Sequence, residues 1–136
     1  MLDLPAARSR FLARVEEFSP GQAARFAPAL DALVEWSVGN GLVFEPPTGK
    51  QFQIRFRLPH ERTPAWTATP RSGDGGKFSI GGPVSLHSAM RKEFAQIDGN
   101  PVVESRQPEL AFTYLIWMPY RTAILELMEK MIAVPA

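Results

Sequence analysis

Gln51-Phe52-Gln53-Ile54-Arg55-Phe56-Arg57-Leu58 alternates large apolar and polar side chains without a break. Successive side chains of a strand point to opposite faces, so a period of two collects Phe52, Ile54, Phe56 and Leu58 on one face. Gln51, Gln53, Arg55 and Arg57 then share the other. A helix would scatter the same residues around its circumference. The stretch predicts a strand with a core on one side and a wet, basic face on the other.

Shorter candidates surround it. Leu42 to Glu45 is closed by Pro46, Pro47, Thr48 and Gly49, which cannot continue a ladder and favour a turn. Trp66 to Thr69 and Lys77 to Ile80 read as strands joined by a hairpin connection through Gly73, Asp74, Gly75 and Gly76. These segments make an antiparallel meander of about four strands. Val102 to Ser105 is a further strand candidate. Phe112 to Met118 alternates but is apolar on both faces, so strand and helix fit it equally.

Helical periodicity brackets the sheet. Ala6 to Phe18 carries Phe11, Leu12, Val15 and Phe18 as an apolar stripe, and Ser19, Pro20 and Gly21 end it. A second helix buries Leu30, Leu33, Val34 and Val38 and stops at Gly39, Asn40 and Gly41. Pro28 lies inside its pattern, which predicts either a short turn before it or a true start near Ala27. Ser85 can cap a crossing helix bearing Leu86, Ala89, Met90, Phe94 and Ile97, and Pro119 opens a terminal helix with Ile124, Leu127, Met128 and Met131. The fold expected is α+β: an antiparallel sheet of roughly four to five strands, with two N-terminal helices, one crossing helix and a C-terminal helix packed on one face. A single domain over the whole 136-residue chain is expected.

Composition narrows the chemistry. Cysteine is absent, which removes thiol nucleophiles, disulfides and thiolate metal sites. His60 and His87 are the only imidazoles and neither has ligand spacing, so no metal and no cofactor is expected. The N-terminus lacks a secretory pattern and no apolar run matches a membrane span, so a cytoplasmic protein without a membrane partner is the expectation.

No motif in the chain names a reaction. Gly73-Asp74-Gly75-Gly76-Lys77 superficially suggests a phosphate loop, but Arg71 stands where the first glycine belongs and Phe78 where a hydroxyl belongs. No serine lies in the strained or lysine-paired settings that activate a hydroxyl. His60 and Glu61 follow the long strand and are candidate acid/base partners, although adjacent side chains rarely converge on one atom. Glu16, Glu17, Glu126 and Glu129 read as solvated helix surface.

Charge is the asymmetry with functional content. The sheet region holds Lys50, Arg55, Arg57, Arg62, Arg71 and Lys77 against Glu61 and Asp74, although the formal net charge of the chain is only +1. A basic sheet face with an aromatic can hold a phosphate backbone and stack bases. Arg55, Arg57, Lys50, Trp66 and Arg71 are the candidate ligand-binding residues on this reading, with Trp66 equally able to face inward beside Ala68. The leading expectation is a non-enzymatic binding or accessory module whose partner is nucleic acid or protein. The alternatives are a small hydrolase of a phosphate-containing substrate, using His60, Glu61 and the basic residues, and a structural homo-oligomer, a dimer in its simplest form.

Overall fold

The computed structural model describes residues 3–46, 52–62, 64–71, 75–81, 88, 91–92, 109–111, 122, 125–126 and 128–130. They form helix α1 (Leu4–Phe18), helix α2 (Ala23–Gly39) and strands β1 (Val43–Glu45), β2 (Ile54–Arg57), β3 (Pro64–Arg71), β4 (Gly75–Ile80) and β5 (Glu109–Ala111). The sheet runs in sequence order, β1-β2-β3-β4-β5, with every neighbouring pair antiparallel. The α+β class and the meander therefore follow the sequence reading.

Helix α1 begins two residues earlier than its apolar stripe suggests, because Asp3 caps it. The Asp3 carboxylate accepts from Ala6 N–H at 2.9 Å, and Pro5 sits in the first turn, where a missing N–H costs nothing. Ala7, Phe11 and Val15, four apart, are its buried line. Phe18 does not complete that line: it is 43% exposed, at the end of the helix.

Pro28 does not start α2; the helix runs through it from Ala23 to Gly39. Proline lacks the N–H of an interior residue, which is destabilising on its own. Phe26 before it and Ala29, Leu30 and Leu33 after it are all buried, so tertiary packing holds one continuous helix while Pro28 faces outward. Val38 is likewise not part of the buried stripe, being 57% exposed. Ser37 takes the inward position one turn beyond Leu33, its hydroxyl donating to Leu33 C=O at 2.8 Å. Gly41, at φ +78°, closes the helix in the left-handed conformation.

The α1–α2 turn is tied by Glu16, which accepts from Gly21 N–H at 2.6 Å and Ala23 N–H at 3.2 Å. Gln22 makes no side-chain cap, so a carboxylate from the preceding helix does the capping. Arg8 grips Asp31 across the two helices with two hydrogen bonds, 2.6 and 2.9 Å. The hydrogen bond holds the Arg8 guanidinium above its ordinary pKa. Both side chains are 39% exposed, so solvent screening limits the pair to less than about 1 kcal/mol.

Direct partners in an antiparallel ladder share a face. Phe44 stands opposite Phe56, Phe56 opposite Trp66, Ile54 opposite Ala68, and Ala68 opposite Phe78. The result is an aromatic row across four strands, with ring centroids 5.7 Å apart for Phe44–Phe56, 5.3 Å for Phe56–Trp66 and 5.7 Å for Trp66–Phe78. Phe11, Val15, Phe26, Leu30 and Leu33 of the helices join this row in one buried cluster that also contains Met128. Thus α1 and α2 lie on the aromatic face.

Strand β2 is shorter than its alternation implies. Phe52 has φ +52°, a left-handed conformation rare for a bulky residue, and the ladder begins only at Ile54. The register shifts between Phe56 and Arg57, the last residue of the strand, and Leu58 beyond it is partly buried against the core. Gly75 and Gly76, expected in the hairpin, belong to β4 and pair with Arg71 and Pro70. The fifth strand is Glu109–Ala111, while Val102 to Ser105 and Phe112 to Met118 lie outside the described residues. Of the crossing helix only Ser88, Arg91 and Lys92 are described, and they are helical; of the terminal helix, Thr122, Leu125, Glu126 and 128–130 are.

Candidate functional site

The second face of the sheet carries Arg55, opposite Glu45 and Thr67, and Ser79, opposite Thr67. Gln53 donates to Thr69 Oγ1 at 3.0 Å on the same side. The sequence reading expects this face to be wet, yet Thr69 is 8% and Ser79 5% exposed. Its centre is therefore not an open surface. Arg55 is half-buried, and its Nε is buried with no hydrogen-bond partner among the described residues. Arg57 Nε lies 3.5 Å from Glu45 Oε1, and Arg57 Nη1 donates to Leu58 C=O at 3.3 Å and Pro59 C=O at 3.1 Å. These bonds fix the turn after β2 and occupy the guanidinium.

Trp66 takes the inward of the two orientations that the sequence allows. Its side chain is fully buried between Phe56 and Phe78, and Nε1–H donates to Ser37 Oγ at 2.7 Å. A nucleobase has no access to it. Its place in an apolar alternation with Ala68 was the signal for burial. Lys50 lies outside the described residues, and Arg71, the last residue of β3, accepts from Ser19 Oγ through its carbonyl at 3.2 Å.

Among the described residues, chemistry-bearing side chains meet in two further places. The first is an open cleft of about 420 Å³ beyond the end of β2, lined by Glu45, Arg57, Pro59, His60, Glu61 and Arg62. His60 and Glu61 thus share a concavity, as a hydrolase reading requires. Both are exposed, and no side chain among the described residues bonds to either or orients the imidazole. No group of three metal-ligating side chains occurs among the described residues.

The second lies at the opposite end of β2, where Phe52 meets α1. The guanidinium carbons of Arg10 and Arg14 are 5.8 and 5.6 Å from the Phe52 ring centre, and Arg14 is 5.5 Å from that of Phe18. Arg10, Arg14 and Phe18 are four residues apart, so one flank of α1 presents them in line. The result is an alternating ladder, Arg10–Phe52–Arg14–Phe18. Arg14 also pairs with Glu17 at 2.8 Å. Arg10 is exposed and makes no ion pair among the described residues. The left-handed backbone of Phe52 carries the chain off the strand path at this contact, and strain of this kind persists only where the surroundings hold it. Sequence periodicity missed the ladder, because Phe52 fits the β2 alternation and Phe18 fits the α1 stripe.

No known family model, curated protein or solved structure matches the chain. No helix of the described residues is long and apolar enough to cross a membrane.

Proposed function

We propose that the chain is a non-enzymatic binding module for nucleic acid and that the Arg10–Phe52–Arg14–Phe18 surface carries the contact. The observation that supports this reading is Arg10: a guanidinium over an aromatic ring, exposed, with no carboxylate partner among the described residues. Stacking of this kind restrains a guanidinium while leaving its N–H edges for phosphate oxygens, two at a time. The basic face of the sequence reading is thereby moved from Arg55 and Arg57 to the flank of α1, where cation and aromatic coincide. The test is capture from a native lysate on the immobilised chain, with and without nuclease. Nucleic acid retained without nuclease and released by it is the expected result. A protein partner retained regardless of nuclease contradicts the reading.

The second reading is a phosphate-ester hydrolase, favoured by the shared cleft of His60 and Glu61. It is weaker because the cleft is open to water and a general base gains from a third group that orients it. Release of phosphate from a simple phosphomonoester, lost in His60→Ala, would carry it.

A further inference from the structure

We infer that the Phe18 ring is a stacking platform for an unpaired nucleobase, so that the ladder selects single-stranded over duplex nucleic acid; this rests on the reading of the ladder as a nucleic-acid contact. A single exposed aromatic is ordinary on protein surfaces. Three observations set Phe18 apart from Val38, the other large apolar residue exposed among the described residues.

Phe18 continues the line of Arg10 and Arg14, with the Arg14 guanidinium 5.5 Å from its ring centre. A base laid on the ring therefore has the Arg14 guanidinium, itself paired with Glu17, at the platform, and Arg10 further along the line for a flanking phosphate. The backbone beneath the ring is also held. Ser19, buried, donates from its N–H to Val15 C=O at 2.8 Å and from its hydroxyl to Arg71 C=O at 3.2 Å, which fastens the end of α1 to the end of β3. A fixed platform loses little freedom when a base settles on it. Finally, Phe18 is 43% exposed, whereas Trp66 is enclosed and Trp36, Phe44 and Phe52 are only partly exposed, so among the described residues Phe18 is the aromatic most available to a base. In a duplex the bases are stacked on one another and their faces are closed to such a platform, whereas a single strand offers them.

The experiment uses the whole chain and fluorescence anisotropy at low salt, with a labelled dT oligomer, an abasic oligomer of the same backbone length and a duplex of that length. The dT oligomer should bind about tenfold more tightly than the abasic one, as one stacked base allows. Phe18→Ala should abolish that difference, and Phe18→Tyr should keep it. Equal affinity for dT and abasic oligomers overturns the stacking inference while leaving phosphate binding intact. Preference for the duplex overturns it as well. Binding of none of the three overturns both the inference and the reading beneath it.

Discussion

Trp66 Nε1–H donates to Ser37 Oγ at 2.7 Å, and Ser37 in turn donates to Leu33 C=O at 2.8 Å, so one buried hydroxyl joins the sheet to α2. Both side chains are fully enclosed. An indole N–H left without an acceptor in such a place carries its full desolvation cost. Ser37→Ala should therefore destabilise the fold by about 1–3 kcal/mol. Trp66→Phe should make a second change to Ala at Ser37 much less costly, and denaturant titration of the two single variants and the double variant measures that coupling.

Phe56 and Phe52 occupy alternate positions of the same run, yet they should respond very differently to truncation. Phe56 is fully buried in the aromatic row, and Phe56→Ala should cost about 3–5 kcal/mol through lost transfer energy and the cavity left behind. Phe52 is half-buried, outside the paired residues of β2, and at positive φ. Phe52→Gly removes the ring but relaxes the backbone, and should shift the denaturation midpoint far less. Equal losses would contradict the break in β2.

The contrast marks how much the sequence discloses. Alternation in Ile54 to Phe56 and the proline punctuation after β1 are local signals for the meander, whereas Pro64 and Pro70 lie within β3 and Gly75 and Gly76 within β4. Phe52, Phe18 and Val38 have the right spacing for burial, but spacing does not report where an element stops or how wide its covered face is. Glu16 shows the same limit in polar form. It reads as solvated helix surface, and only the turn at Gly21 brings it to the start of α2.

Replacing that carboxylate tests its capping role. Glu16→Ala removes the acceptor for Gly21 and Ala23 N–H, and should cost about 1 kcal/mol, as loss of a helix cap does. Thermal melting provides the measurement, with Glu17→Ala as the comparison, since Glu17 pairs only at the surface with Arg14.

Charge reversal on β2 separates the two arginine surfaces. On the wet face that the alternation predicts, Arg55→Glu with Arg57→Glu would leave stability nearly untouched. In the structure Arg57 holds Glu45 and two carbonyls, and Arg55 stands opposite Glu45 with its Nε buried. The double change should cost about 1–3 kcal/mol by unpairing Glu45 and burying polar atoms without partners. A melt indistinguishable from the parent would show that these bonds do not matter.

Contact between the flank of α1 and a phosphate backbone is tested by the affinity of the parent and of Arg10→Glu for a labelled single-stranded oligonucleotide at low and at moderate salt. Each neutralised phosphate releases condensed counterions, so parent affinity should fall steeply as salt rises. Arg10→Glu should bind at least tenfold more weakly at low salt, with a shallower salt slope and an unchanged melt, because Arg10 is exposed and unpaired with any carboxylate among the described residues. Equal binding by parent and variant, or no binding by the parent at low salt, would contradict the account.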